Sequence, residues 1–171
     1  TMPRVKGISG FHSFTSEVRR NGQEPSTRIL ATADADGLPK SVTEKLSVTE
    51  DENSPQVHLR RLRLIDGVPI AVEDAWLPKA LFPDLAPADF NDGSLYALLA
   101  DRWGLEPAWT DALIEPDRAS AEVSQLLDIE TDDPVLVAWR VTVTAEDKVF
   151  ERVRSIYRPG FSLRVARYRL G

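Results

Sequence analysis

RRLRLIDGVPIAVED, residues 60–74, is the stretch from which the fold can be worked out. Asp66-Gly67 separates two runs of alternating residues, a strong short-range sign of a β-hairpin. Side chains of a strand alternate between faces, so Arg61 and Arg63 point the same way, about 7 Å apart. Two turn lengths compete. A two-residue Asp-Gly loop pairs Ile65 with Val68, Arg63 with Ile70 and Arg61 with Val72, mixing guanidiniums with β-branched residues. A three-residue loop over 66–68 pairs Ile65 with Pro69, Arg63 with Ala71 and Arg61 with Glu73. Leu62 and Leu64 then oppose Val72 and Ile70, and the other face collects two arginines and a glutamate. Register is set wherever one face is buried, so the three-residue pairing is expected. For the charged face two uses stay open on spacing alone. It is either a solvated ion pair worth under about 1 kcal/mol, or an anion clamp. In a clamp, forked guanidinium donors match phosphate or carboxylate oxygens, and Glu73 accepts from hydroxyls or amides of the same ligand.

Outward from the hairpin, the pattern is of strands with helices inserted. FHSFTSEVRRNG (11–22) reads as a short helix capped by Ser13 and stopped at Gly22. A strand follows over 26–34, with a turn at DADG. A short helix over 39–46 starts at Pro39 and carries Val42 and Leu46 on one side. Beyond the hairpin strands 56–65 and 69–77, Ser94–Trp103 reads as a helix ended by Gly104. A strand over 108–115 comes next. Asp117 is expected to cap a helix with Ala119, Val123, Leu126 and Leu127 on one side. Strands at 134–143, 149–157 and 161–170 close the chain, the first two joined through AEDK. Their connections are too short for parallel crossovers, so the class is α+β with a largely antiparallel sheet.

The 171 residues suit one domain with a sizeable core, and 42% hydrophobic with 28% charged residues is ordinary for a globular protein. No apolar run approaches the length of a membrane span, and no signal peptide is evident. The absence of cysteine excludes disulfides and thiolate metal sites. A net charge of −6 argues against holding a phosphate backbone directly. Because Met2 is not the first residue, the start reads as a cut inside a longer protein.

VFERVRSIY (149–157) alternates too: Glu151, Val153, Ser155 and Tyr157 share one face, and Phe150, Arg152, Arg154 and Ile156 the other. The helix starts at 13–15 and 93–95 offer unpaired amides that suit an anion. Simple N-capping by Asp92 or Ser94 is the commoner use of such residues. Enzyme signatures are missing. There is no Gly-rich phosphate loop, His12 and His58 are isolated, GSLY lacks the second glycine of a nucleophile elbow, and DADG is too short for a calcium loop. The EDE run at 50–52 reads as a solvated loop.

Taken in order, SFT…G (13–22), RLRLIDGVPIAVEDAWLP (61–78), GSLYALLADRWG (93–104), the Ala/Glu-rich helix 117–127 ending in Leu-Leu, PVLVAWR (134–140) and VFERVRSIYRPG (149–160) resemble the UTRA domain. That domain is the effector-binding half of GntR-type transcriptional regulators of the HutC subfamily. The resemblance implies a chorismate lyase-like fold with a sheet of about six strands. It also implies a homodimer, a cytoplasmic location and no cofactor, metal or membrane partner. Residues 1–10 would be the remnant of a linker from an N-terminal winged helix-turn-helix that binds operator DNA, and 11–171 the UTRA domain. Carried over from phosphosugar-sensing members, Arg61 and Arg63 hold the phosphate, helped by Phe14, Thr15, Ser94 and Tyr96 at the helix starts. Glu73, Glu151 and Tyr157 address the sugar. Trp76, expected near the pocket rim, and Phe150 depart from the pattern. The expected role is therefore a sensor for a small anionic metabolite, a sugar phosphate or amino-sugar phosphate, that controls operator binding. The alternative is a chorismate lyase-like enzyme acting on a small anionic substrate, since an arginine pair in a cleft serves either.

Overall fold

In the computed structural model, residues 8–9, 14–48, 52–91 and 93–164 are described. The elements in chain order are β1 (Ile8–Ser9), α1 (Phe14–Arg20), β2 (Pro25–Ala35), α2 (Lys40–Lys45), β3 (Gln56–Ile65), β4 (Val68–Pro78), α3 (Leu95–Trp103), β5 (Trp109–Arg118), α4 (Ala121–Leu127), β6 (Pro134–Val143), β7 (Val149–Tyr157) and β8 (Leu163–Arg164). Six strands make an antiparallel sheet in the order β2-β3-β4-β7-β6-β5, and β1 pairs in parallel with β8. The architecture is the expected α+β one, with a six-stranded antiparallel sheet.

The expected three-residue loop is not formed, although the pairing expected for Arg61 and Arg63 holds beyond the tip. At the tip, Asp66 (φ 50°) and Gly67 (φ 77°) both adopt the left-handed conformation that a tight two-residue turn requires. Ile65 therefore pairs with Val68 and Leu64 with Pro69, not Ile65 with Pro69. Asp66 is held there by its side chain, whose Oδ1 accepts from the Glu24 amide at 2.9 Å. One residue further on the register shifts, so Arg63 pairs with Ala71 and Arg61 with Glu73 as expected. The extra residue is Ile70. A bulge turns it out of the apolar row with Leu62 and Leu64 and into a cluster with Ile65, Ala71 and Tyr157.

The two sheet faces differ. On one, Leu62, Val72, Ile156, Val137 and Trp139 pack against Val42 of α2 and Val123 and Leu127 of α4. The other face carries two separate cores. Val57, Leu59, Ala75, Leu77 and Val153 pack under Leu95 and Leu99 of α3. Ile65, Ala71, Ala138 and Tyr157 pack with Val18 of α1 and with Phe161. Along β3, β4 and β7 the residues lying between these two cores are Arg61 and Arg63, Glu73, and Ser155.

Three expectations need correction. Ser120, not Asp117, caps α4: its Oγ accepts from the Val123 amide at 3.2 Å, while Asp117 is still paired with Val135 in β5. Phe150 is the extra residue of a bulge, because Val143 pairs with Val149 and Thr142 with Glu151. It therefore joins Val153 in the α3 core, not Arg152 and Arg154 on the opposite face. Trp76 lies on the face away from α3, stacked on His58 at 5.1 Å between centroids, so it is not at the rim of the arginine face. Ser13 and Asp92 as caps, the EDE loop up to Asp51, and the strand expected beyond Arg164 lie outside the described residues.

The cap assignment is directly measurable. Ser120→Ala is expected to lower unfolding stability by about 1 kcal/mol, with Asp117→Ala costing clearly less, both read from urea denaturation.

Candidate functional site

Arg61, Arg63 and Glu73 are 4%, 6% and 5% exposed, so the charged face of the hairpin is not solvated. Their position between two apolar cores explains this: α3 covers one side and α1 the other. Glu73 Oε1 accepts from Arg61 Nη2 and lies 3.5 Å from Arg63 Nη1. Its Oε2 lies 3.6 Å from Arg140 Nη2 and accepts from Ser155 Oγ at 3.3 Å. One carboxylate thus faces three guanidiniums.

Electrostatics follow from this crowding. Burial alone would raise the Glu73 carboxyl, but Arg61, Arg63 and Arg140 outweigh it and hold the pKa at about 2. Arg63 shows the opposite balance: burial, followed by the neighbouring Arg61 charge, draws its pKa down to about 10 despite Glu73. Burial also opposes the Arg140 cation, yet the oxygens of Tyr157, Tyr96, Glu73 and Glu151 raise its pKa. Glu151, almost fully buried, is pushed up by desolvation, which favours its neutral form. The Nε–H groups of Arg61 and Arg63 are buried without a hydrogen-bond partner among the described residues.

The remaining sequence-selected residues converge on the same face. Thr15 Oγ1 accepts from Arg63 Nη2 at 3.4 Å, and the Phe14 ring lies 4.4 Å from the Arg63 guanidinium carbon. The first turn of α1 therefore rests on Arg63, with a cation–π contact included. Ser94 caps α3, its Oγ accepting from the Ala97 amide at 3.4 Å. With Arg61, Asn91 and Gly93 it also lines a small hollow of about 10 Å³. Tyr96 donates from its hydroxyl to Glu151 Oε2 at 2.7 Å. Tyr157 is buried and stacked on Phe161 at 4.7 Å. From Ser94 and Tyr96 a larger cleft of about 480 Å³ runs along α3 towards the start of β5.

Three residues in or beside the cluster were not singled out as site residues from sequence: Arg140, Ser155 and Thr142. Arg140 had a signal, as the one charge inside the apolar run PVLVAWRVTV. Ser155 shares the face named for Glu151 and Tyr157. Thr142 gave none, because only the pairing of β6 with β7 sets it opposite Glu151. Among the described residues no group of His, Cys, Asp and Glu is arranged to hold a metal ion, and no helix is long and apolar enough to cross a membrane.

Residues 20–160 match the family model of the UTRA domain. The chain belongs to the UTRA domain family. It is 26% identical over 154 residues to the HTH-type transcriptional repressor NagR of Bacillus subtilis, covering 90% of this chain and 61% of that one. It is 25% identical to the histidine utilization repressor of Pseudomonas putida over 139 residues, 81% of this chain and 54% of the relative. Among solved structures, the effector domain of PhnF from Mycobacterium smegmatis has the same fold, with a TM-score of 0.83, 24% identity, and coverage of 96% and 100% of the two chains. The UTRA chain thus spans 54% to 61% of the length of the two curated relatives described here.

Glu73 should dominate the acid stability of this UTRA domain. A carboxyl at about 2 in the fold, against 4.5 when exposed, contributes on the order of 3 kcal/mol. That contribution is complete above pH 4.5 and is lost as the pH falls towards 2. Glu73→Gln leaves three buried cations without their shared carboxylate and is expected to cost about 3–5 kcal/mol at pH 7. In calorimetric unfolding, the pH dependence between 4.5 and 2 should be much shallower in this variant than in the parent.

Proposed function

We propose that this domain senses a small anionic metabolite of the sugar phosphate or amino-sugar phosphate class and thereby controls operator binding by a GntR-type regulator. The observation that carries the proposal is the charge balance of the buried cluster. Three guanidiniums share one firmly ionised carboxylate, and burial disfavours ionisation of the second, Glu151. Such a cluster gains from an added anion. Arg63, whose cation is disfavoured by burial and by Arg61, gains most. A repressor role in the relatives supports a binding site over a catalytic one.

In this scheme Glu73 is the internal stand-in for the ligand. An entering phosphate takes the forked donors of Arg61 and Arg63, including the unmatched Nε–H groups, with Thr15 and Ser94 adding neutral hydrogen bonds. Glu73 then turns to a hydroxyl or amine of the ligand, with Glu151 and Tyr157 close by. The hollow at Arg61 has room for about one water, far less than a phosphate. Entry therefore shifts the start of α3, of α1, or of both. Residues 1–10 would form the link to an N-terminal winged helix-turn-helix, so a shift of α1 is the lever that reaches DNA in the homodimer. A coupling of about 1–3 kcal/mol changes operator affinity by 5- to 150-fold.

Titration calorimetry with glucosamine 6-phosphate and glucose 6-phosphate tests the site. Thr15→Ala and Arg63→Lys, which keep the cluster's charge, are expected to weaken binding by about tenfold, in line with the loss of one charge-assisted hydrogen bond. Arg61→Ala should abolish binding. Equal affinity in the parent and all three variants would rule out the arginine site.

A further inference from the structure

The cleft of about 480 Å³ beside the arginine cluster is larger than a phosphate needs and lies within the range of pockets that enclose whole small ligands. It adjoins the cluster at the start of α3. Ser94 lines both the cleft and the hollow at Arg61, and Tyr96, bonded to Glu151, lines the cleft from the same helix. Thr142 lies at the inner end. It is 2% exposed, and its hydroxyl lies beside the Tyr96 hydroxyl, so the two form a polar pair on the cleft wall.

The wall chemistry differs from that of the cluster. Ala97 and Ala100 keep the α3 side low, and Leu105, Pro107 and Ala108 are apolar. Among the described residues no Lys or Arg lines the cleft and the single charge is Glu106; Trp109, 70% exposed, lines it too. A carboxylate and an exposed indole lining one cleft suit an ammonium group, through an ion pair and the negative face of the ring. The carboxylate repels a second anion.

We infer that the cleft is a second compartment of the effector pocket and takes an amine-bearing extension of the ligand. The effector is then zwitterionic: its anionic head faces Arg61 and Arg63, its body passes Tyr96 and Thr142, and its ammonium meets Glu106 and Trp109. This rests on the anion-binding proposal above and adds the polarity and length of the ligand. The two compartments have opposite charge, so each end of the ligand is rejected by the other's site.

Four probes separate the two ideas: inorganic phosphate, hexyl phosphate, 6-aminohexyl phosphate and 6-phosphonooxyhexanoate, titrated calorimetrically and by tryptophan fluorescence. The parent should bind the aminohexyl ester at least tenfold tighter than the carboxylate ester, with a change in emission that is missing in Trp109→Phe. Glu106→Gln, at an exposed position, should remove that tenfold preference while leaving the affinity for inorganic phosphate unchanged. Ala100→Phe, which fills the cleft, should remove the gain of both hexyl and aminohexyl esters over phosphate. If the parent binds phosphate but treats the amine and carboxylate esters alike, or if Glu106→Gln keeps the preference, the cleft inference is overturned and the arginine site stands. If phosphate and all three esters fail to bind the parent, the arginine site itself falls, and the extension with it.

Discussion

The carboxylate of Glu73 under the guanidiniums of Arg61, Arg63 and Arg140 is the interaction on which the sheet face beneath α1 and α3 depends. Four ionic side chains are excluded from water here, and each alone would carry a heavy desolvation cost. They are tolerated because each shares the one carboxylate, and because α1 and α3 close over the flanking apolar rows. The two cores on this face are separate for that reason: the polar cluster occupies the strand positions between them. A fully apolar sheet face would bury more surface, but it would leave nothing for an anion to bind.

In the proposed sensor, the same crowding links recognition to shape change. Arg63 touches the first turn of α1 through Thr15 and Phe14, and Arg61 shares a hollow with the residues just before α3. Whatever replaces Glu73 as the partner of these arginines therefore acts on two helix starts at once. In that proposal the sheet places the charges, and the short helices around it are the parts that move. The opposite face, packed on α2 and α4, is the more conventional apolar layer and supplies the rigid backing.

Much of this was legible in the residues themselves. Alternation in 60–74 and 149–157, with Asp-Gly at one tip, was enough to expect the hairpin, the antiparallel sheet and the face shared by Arg61, Arg63 and Glu73. Helix stops at Gly22 and Gly104 follow from the left-handed backbone that glycine adopts freely. All nine residues named for the site are on or beside one face. What could not be read were the bulges at Ile70 and Phe150. A bulge adds one residue to one strand, and only the partner strand reveals it, so both residues were assigned to the wrong side.

By itself, then, the sequence determined the strand pattern and the grouping of charges on the hairpin, because these depend on neighbours two to four residues apart. Only the tertiary structure decided that the charges are buried, that Arg140 joins them, and that a cleft lined by Glu106 adjoins them. Those features depend on strands placed side by side from distant parts of the chain and on helices closing over them, and no local spacing encodes either.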